Sequence, residues 1–309
     1  MYNFLNLTKK FIITLIYFFL GLFKKIYTKK VFAYSKNLRS DSDNGRYGSE
    51  ILKILKDQKL FENFKRNHVY REILEHVTND EGLKYLKILQ SRKDGILEKA
   101  ISSVLISDKL GNPIKFNYDG YELPFSPTTL RYVKVASDLN RLFGKNLGDI
   151  VEIGCGYGGQ ALVNDQLLNV KSSKLLDLSF VNKLIERYLN NQTFNGLYQT
   201  ALIDEEPVSQ YDLVISNYAF SEMPKNLQKI YIDKILSQSK KGYLTMNSGI
   251  TGSRSVGKYS VEELRSLLPN FEIFKEEPLT SSHNYLIAWG FNEKMISSNS
   301  NQKSCFVRY

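Results

Sequence analysis

The chain has 309 residues, of which 24% are charged and 42% hydrophobic, and its formal net charge is +10 at pH 7. This length accommodates one full α/β domain and a smaller addition. Residues 1–40 contain seven lysines, one arginine and no acidic residue, so they carry most of the excess positive charge. The rest of the chain is nearly balanced, which excludes a general nucleic-acid-binding field. We expect no nucleic acid among its partners.

An apolar run, FIITLIYFFLGLF, occupies residues 11–23 between two lysine pairs. As a helix it extends about 20 Å, which is short of the roughly 30 Å hydrocarbon core of a bilayer. Its aromatic and basic residues favour a helix that lies in the interface and contacts anionic lipid. Within an N-terminal unit of residues 1–37, we expect residues 9–30 to bind the membrane surface. A short spanning anchor and a helix packed on the protein are the alternatives.

Residues 38–125 are expected to form a helical region after a polar, turn-rich linker. Apolar pairs recur through residues 50–110 and indicate two or three helices. Ser126 followed by Pro127 predicts the start of a further helix that ends near Phe143. We expect this layer to lie over the carboxyl edge of a sheet and to contribute to a ligand pocket. The alternative is a stabilising appendage that contacts no ligand.

The segment IVEIGCGYGG at residues 150–159 joins an apolar, β-branched run to the start of a helix. Glycine is needed where the backbone approaches a ligand closely or takes a positive φ. A strand, a glycine turn and a helix N-terminus together form the nucleoside-binding crevice of an open α/β sheet. The segment therefore predicts a nucleoside-bearing cofactor that contacts Gly154, Gly156 and Gly158, with Tyr157 packed on it.

Two cofactor classes fit this turn. Gly154, Gly156 and Gly159 match the G-x-G-x-x-G pattern of dinucleotide sites, and Asp177 follows about 20 residues later, where such sites carry an acid. Glu152, however, ends the strand at a position where dinucleotide sites usually carry an apolar residue. A carboxylate there suits a cationic methionyl group and repels a pyrophosphate. We therefore predict S-adenosylmethionine as the cofactor, with a nicotinamide-dependent dehydrogenase as the alternative.

After the turn, strand-like and helix-like segments alternate, which is typical of a parallel, doubly wound sheet. The predicted strands are 174–178, 197–203, 211–216, 241–247, 271–276 and 284–290, and the predicted helices are 180–191, 224–238 and 260–268. The last two strands are expected to form an antiparallel hairpin. Three polar residues near strand ends are candidates for the ribose, the adenine and the methionyl group, in the order Asp177, Asp204 and Asn217.

Four segments of this chain resemble the bacterial sugar O-methyltransferase family, a branch of the class I methyltransferases. They are REILEHV with EGLKYL at 71–86, SPTTLRY at 126–132, VEIGCGYGG at 151–159 and SNYAFSEMP at 216–224, and the closing AWG at 288–290 is similar too. The resemblance covers residues 60–291. VEIGCGYGG specifies only the superfamily, whereas the SEMP and LEHV segments carry the family.

The resemblance implies a Rossmann-like, doubly wound α/β sheet of seven strands with an antiparallel last strand. It also implies S-adenosylmethionine as methyl donor and a sugar hydroxyl of a surface polysaccharide or its precursor as acceptor, lipid-linked or nucleotide-linked. Because this donor is found in the cytoplasm, we expect the protein on the inner face of the cytoplasmic membrane. Residues 126–291 are expected to be the methyltransferase domain, and residues 292–309, which are rich in Ser and Asn, a disordered tail.

Methyl transfer to a hydroxyl needs alignment of the reacting atoms and benefits from a general base. His283 lies between the last two predicted strands, on the cofactor side, and its imidazole can accept a proton near neutral pH. Glu222 lies in the SEM motif after the fourth strand, where it can act as base, hold the sugar or cap the next helix. His76, in the LEHV segment, is expected to have a structural role.

The two cysteines, Cys155 in the glycine turn and Cys305 near the end of the chain, indicate a reducing compartment. Neither has a metal-ligand neighbour, and we predict metal-independent transfer. Cys155 is expected to be a small turn residue. The sequence leaves open whether the acceptor is instead a lipid or a small hydroxylated metabolite, and whether the chain is a non-catalytic assembly partner. It does not determine the oligomeric state.

Overall fold

The computed structural model describes residues 45–250, 257–293 and 306–309, without the side chains of residues 105–107. The predicted membrane-binding segment, residues 9–30, lies outside the described residues, as does Cys305. Within them, no helix is both long enough and apolar enough to cross a membrane.

In the described N-terminal region, five short helices replace the two or three that the sequence predicts. They are α1 (Arg46–Lys56), α2 (Gln58–Glu62), α3 (His68–Ile73), α4 (Asn79–Arg92) and α5 (Ile96–Ser103), with 3-10 turns at Phe64–Arg66 and Val104–Lys109. The side chains of Asp57, Asn67 and Thr78 each accept a hydrogen bond from a backbone N–H of the helix that follows. Such N-cap residues start new helices, and they divide the apolar pattern into shorter pieces.

Seven strands form one mixed sheet in the described part of the chain. They are β1 (Asn146–Ile153), β2 (Asn169–Leu176), β3 (Leu197–Ala201), β4 (Leu213–Asn217), β5 (Gly242–Met246), β6 (Phe271–Lys275) and β7 (Tyr285–Trp289). Their order is β3-β2-β1-β4-β5-β7-β6; β1 to β5 are parallel, and β7 is antiparallel to both β5 and β6. This confirms the expected Rossmann-like sheet of the class I methyltransferase fold. The strand order reverses between β1 and β4, where such sheets bind ligands.

Helices cover both faces of this sheet. After β1 they are α7 (Gly159–Leu167), α8 (Ser179–Leu189), α9 (Ala219–Glu222), α10 (Lys225–Lys234) and α11 (Val261–Leu267), with a 3-10 turn at Leu236–Gln238. One buried cluster joins the N-terminal helices, α7 and α8 to one face of the sheet, and a second joins α10 and α11 to the other face. The N-terminal helices therefore share a core with the sheet.

A long helix, α6 (Pro127–Phe143), connects the N-terminal helices to β1, and it confirms the predicted start and end. The Ser126 side chain accepts a hydrogen bond from the Thr129 N–H, and the missing N–H of Pro127 leaves no donor unpaired in the first turn. Nearly all of its residues are buried, because α6 lies between α4 and the sheet. On the sheet side, Asp138 accepts a hydrogen bond of 2.6 Å from the Tyr243 hydroxyl of β5.

The end of the chain pairs with the edge strand β6, so the expected disorder of residues 292–309 does not extend to residues 306–309. The Lys275 N–H donates to the Val307 carbonyl at 2.8 Å, and the Tyr309 N–H donates to the Ile273 carbonyl at 3.1 Å. Phe306 is buried, with its ring centroid 5.5 Å from that of Phe274. An unpaired sheet edge and an apolar contact together explain why this short segment is ordered.

Candidate functional site

The turn between β1 and α7 is built from glycines in the left-handed region. Gly154, Gly156 and Gly158 have φ values of 73°, 60° and 85°, which residues with a side chain rarely adopt. A Cβ on Gly154 would lie 2.1 Å from the Cβ of Ala219 in α9, so only hydrogen fits there. The turn therefore brings its backbone to the carboxyl edge of the sheet, next to the point where the strand order reverses.

Glu152 lies at the end of β1, directly before this turn, and is only 3% exposed. Burial and the charge of Asp177 raise the pKa of Glu152 to about 8. Within the described residues, the carboxyl has no hydrogen-bond donor and no cation in contact. The neighbouring Cys155 thiol donates instead to the Glu152 backbone carbonyl, at 3.2 Å, as expected of a turn residue. A buried carboxyl without a partner is costly, and a cationic ligand group would compensate it.

Asp177 follows β2 and faces the same turn. Its Oδ2 accepts a hydrogen bond from the Gly156 N–H at 3.1 Å, and its Oδ1 accepts one from the Leu178 N–H at 2.8 Å. Burial raises the pKa of Asp177 to about 6. Each carboxylate oxygen has a second lone pair, so the side chain is held in place with capacity left for two hydroxyl donors.

The N-terminal helices reach this crevice. A Cβ on Gly156 would lie 3.0 Å from Cδ1 of Leu74, the residue that ends α3. Burial and the charge of Asp177 raise the pKa of the Tyr47 hydroxyl, on α1, well above its usual value. The N-terminal helices therefore lie next to the glycine turn at the carboxyl edge, and whether they contact a ligand stays a prediction.

Tyr157 packs into an aromatic cluster, and the expectation that it also packs on a cofactor stays a prediction. Its ring is 2% exposed, with its centroid 4.8 Å from that of Tyr188 and 4.4 Å from the Lys65 ammonium. The aromatic cluster of the N-terminal layer provides a larger apolar contact than a crevice open to solvent. A Cβ on Gly158 would lie 3.2 Å from the Ile185 side chain of α8, so the missing side chain at Gly158 lets α8 pack against the turn.

The two remaining cofactor candidates lie at strand ends, as predicted. Asp204 is exposed in the turn after β3, where its backbone carbonyl accepts a hydrogen bond of 3.2 Å from the Lys234 ammonium. Asn217 is the last residue of β4, half-buried, with its Oδ1 3.4 Å from the Thr245 hydroxyl of β5. Nothing in these contacts tests the assignment of Asp204 to adenine or of Asn217 to a methionyl group, and both stay predictions.

The two predicted catalytic residues have different surroundings. Glu222 ends the short helix α9 and accepts a hydrogen bond of 3.0 Å from the Asn247 side-chain amide. His283 lies in the turn between β6 and β7, as expected, but its side chain is exposed, and its carbonyl accepts the Gly249 N–H at 3.1 Å. Glu222 is therefore half-buried and His283 exposed, and the assignment of either residue as general base stays a prediction.

Glu222 also acts electrostatically on a second imidazole, that of His76. His76 lies between α3 and α4, where part of its surface is exposed to solvent. The surrounding protein atoms and the Arg131 charge lower its pKa, while Glu222 is among the charges that oppose this shift. The LEHV segment, which carries part of the family resemblance, is the sequence signal for this residue, although its position on a predicted helix favours a structural role. His76 is thus a further candidate for proton transfer.

Sequence reasoning missed Arg131, although SPTTLRY contains it. This residue is 8% exposed and lines a cleft at the ends of β4, β5 and β6. Tyrosines and charged groups from α4, α6 and the strand ends also line this cleft, among them Tyr85, Lys134, Asn217, Tyr218 and Glu276. Tyr218, directly after β4, has a φ of 70°, and a side chain held at positive φ is strained, as residues at functional sites often are.

No family model and no curated protein matches this chain. Solved structures similar to it include the pyocyanin biosynthetic protein PhzM, at 13% identity and a TM-score of 0.39, over 52% of this chain and 56% of that chain. The methyltransferase domain of the bacterial protein CtHen1 is similar at 10% identity and a TM-score of 0.37, over 52% and 97% of the two chains.

The YcgJ protein from Bacillus subtilis is similar at 12% identity and a TM-score of 0.31, over 40% of this chain and 60% of that chain. This chain thus spans less than two thirds of the length of PhzM and of YcgJ. Because all three TM-scores are low, these similarities carry no argument about activity. The fold class rests on the strand order and strand directions of this sheet.

Proposed function

We propose that this protein transfers a methyl group from S-adenosylmethionine to a sugar hydroxyl in surface glycan assembly. One observation carries the proposal. Two carboxyl groups, the buried Glu152 and the half-buried Asp177, flank a glycine turn at the carboxyl edge of a methyltransferase-type sheet, and Glu152 has no partner among the described residues. An adenosyl sulfonium with an amino group and two ribose hydroxyls supplies the charge and the donors that these acids lack.

On the donor side, the chain binds the methyl donor and orients it. The bound donor supplies a methyl group on a positively charged sulfur, which is already activated for displacement. Asp177, fixed by the Gly156 N–H and the Leu178 N–H, accepts the ribose hydroxyls. Glu152 offers its charge to the methionyl end, and a cation there lowers the free energy of the ionised carboxylate. The glycines let the turn take positive φ values and pack against Ala219 and Leu74, where a Cβ would overlap with these side chains.

On the acceptor side, the chain positions a hydroxyl and removes its proton. Glu222, held by the Asn247 amide at 3.0 Å, and His76 are the groups that we assign to this step. The lowered pKa of His76 favours the neutral imidazole, which is the form that accepts a proton. His283 stays a prediction, with an exposed ring that contributes only if an acceptor covers it.

The sugar acceptor is supported by the four segments of family resemblance, two of which supply site residues. SPTTLRY contains Arg131, which lines the cleft, and SNYAFSEMP contains Asn217 and Glu222. A polar, aromatic cleft is well suited to a sugar, since tyrosine rings pack on its faces and their hydroxyls form hydrogen bonds. A surface polysaccharide or its precursor is therefore the acceptor class that we propose.

We also propose that residues 9–30 hold the enzyme on the inner face of the cytoplasmic membrane, where a lipid-linked acceptor would be concentrated. Basic residues flank an apolar run in this segment, a pattern that binds anionic interfaces. Full-length protein should sediment with vesicles that contain phosphatidylglycerol, and a variant without residues 1–36 should not. Equal sedimentation of both proteins would contradict this assignment.

Calorimetric titration with S-adenosylhomocysteine tests the proposed reaction class directly. The protein without residues 1–36 should bind this product with micromolar affinity and should not bind NAD. Binding of NAD alone would overturn the proposal in favour of a dehydrogenase. If neither binds, the donor site proposed at Glu152 and Asp177 is wrong for the free protein.

A further inference from the structure

Arg131 is a buried cation without a counter-charge in contact. Its Nη2 donates a long hydrogen bond of 3.5 Å to the Leu74 carbonyl, and its guanidinium lies 5.4 Å from the centroid of the Tyr132 ring. In the described part of the chain, no carboxylate oxygen lies within 4.0 Å of it. Glu75 acts on it only from farther away, and burial raises the pKa of that carboxyl. A buried charge left unpaired is costly unless a ligand supplies its partner.

The other buried charged groups of the same cleft have partners. The Lys134 ammonium lies 2.7 Å from Asp138 Oδ2, and Glu276 accepts a hydrogen bond from the Tyr218 hydroxyl. Native structures pair almost all such groups. Of the two buried cations that line the cleft, Lys134 therefore has a carboxylate in contact, whereas Arg131 has only the Leu74 carbonyl and the Tyr132 side chain as partners.

The cleft and the donor crevice lie on different halves of the sheet. The cleft is lined by the ends of β4, β5 and β6 and by β7, through residues such as Asn217, Thr245 and Lys275. Asp177, by contrast, follows β2 on the other side of β1. Because the strand order reverses between β1 and β4, a donor on the β1–β2 side leaves the cleft for the acceptor.

We propose that Arg131 binds an anionic group of the acceptor, a carboxylate or a phosphate, and so selects an acidic or phosphorylated sugar over a neutral one. This inference rests on the proposed function. A planar guanidinium bonds both classes of oxyanion through two parallel N–H donors. The tyrosine rings around Arg131 offer an aromatic surface on which the sugar ring can pack. The contact would also place the anion at a fixed distance from Glu222 and His76.

Titration of the full chain, saturated with S-adenosylhomocysteine, tests the proposal. The probes are D-glucuronate and glucose 1-phosphate, with D-glucose as the neutral control. Wild-type protein should bind at least one anionic sugar ten or more times as tightly as glucose. Arg131→Gln should reduce that affinity to the glucose level, and Arg131→Lys should keep part of it. Arg141→Gln, which changes another buried arginine of α6 that is not among the cleft-lining residues, should bind like wild type.

Melting temperature distinguishes ligand binding from a structural role. Arg131→Gln removes an uncompensated buried charge, so the free variant should melt at or above the wild-type temperature. A structural arginine would instead give a lower melting temperature, and such a fall in both the Gln and the Lys variants would overturn the proposal. The anionic sugars should raise the melting temperature of wild type and of Arg141→Gln, raise that of Arg131→Lys less, and leave that of Arg131→Gln unchanged.

Two further results would overturn the inference without affecting the proposed function. One is equal binding of glucose and both anionic sugars by wild type that still binds S-adenosylhomocysteine. The other is a tenfold loss of S-adenosylhomocysteine affinity in Arg131→Gln, combined with unchanged binding of the decarboxylated product analogue, since Arg131 would then bind the donor carboxylate. Failure of wild type to bind S-adenosylhomocysteine would overturn the proposed function itself.

Discussion

Glu152 should make the stability of the ligand-free protein depend on pH in the direction opposite to that of most carboxyl groups. Its pKa of about 8 in the folded chain lies above the ordinary value of 4.5. Between these values the unfolded chain releases the proton while the folded chain keeps it, so stability falls as pH rises. Glu152→Gln removes this dependence. We expect the variant to be the more stable protein without ligand, by an amount on the order of 4 kcal/mol at pH 8.

The check on Glu152 is a pair of urea denaturation series at pH 5 and pH 8. The difference between Glu152→Gln and wild type should be small at pH 5, grow toward pH 8 and level off above it. A cation bound beside the carboxylate should remove the difference, so S-adenosylhomocysteine should stabilise wild type more than the variant. A variant that is less stable than wild type at pH 8 would mean that the carboxyl has a partner.

Asp177 should control the affinity for the donor product. Charge-assisted hydrogen bonds to the ribose need the ionised carboxylate, and its pKa of about 6 means that protonation begins just below neutral pH. Asp177→Asn should weaken S-adenosylhomocysteine binding by roughly 10- to 100-fold at pH 7.5. The difference in this affinity between the variant and wild type should become smaller as pH falls to 5. Calorimetry across this pH range measures the difference, and a constant difference would rule out a role for the carboxylate charge.

At the scale of elements, the glycine turn and α9 pack so closely that Gly154 has no room for a side chain. Gly154→Ala forces a Cβ at positive φ against the Ala219 Cβ, 2.1 Å away. The backbone strain and the overlap together should destabilise the protein by about 2–4 kcal/mol in urea denaturation. Adding Ala219→Gly should recover the part due to overlap and leave the part due to strain. No recovery in the double variant would show that the turn alone sets the requirement for glycine.

Most element boundaries were predictable because their signals are local. Ser126 and Pro127 mark the start of α6, and Gly144 follows its end at Phe143. Each strand from β3 to β7 lies within or close to its predicted range, since short apolar runs bounded by turn residues favour strands. The N-terminal helices were predicted less well. Asp57 and Asn67 stop the apolar pattern by capping, which depends on single hydrogen bonds.

At the scale of the whole molecule, the N-terminal layer and the sheet should unfold together, because one buried cluster contains residues of both. Tyr157 lies at their junction, with ring centroids of Phe64 and Tyr188 at 5.4 Å and 4.8 Å. Tyr157→Ala should cost about 3–5 kcal/mol and keep a single transition. Tyr309→Ala, at an exposed position, is the control and should change little.

Coincident near- and far-ultraviolet circular dichroism transitions would check this cooperativity. Two separate transitions, with only the first shifted by Tyr157→Ala, would mean that the layer folds as an independent unit. In that case the contact between Leu74 and Gly156 would form and break without loss of the sheet.

The sequence by itself determined the alternation of strands and helices, the glycine turn and the positions of Glu152 and Asp177 at strand ends. These follow from periodicity and turn chemistry, which act over a few residues. Tertiary structure alone decided that Tyr157 packs into the N-terminal layer, that the charges of Arg131 and Glu222 both act on the pKa of His76, and that Arg131 has no carboxylate in contact. Each of these outcomes depends on which segments, distant in the sequence, pack against one another, because that packing decides burial, hydrogen bonding and charge compensation.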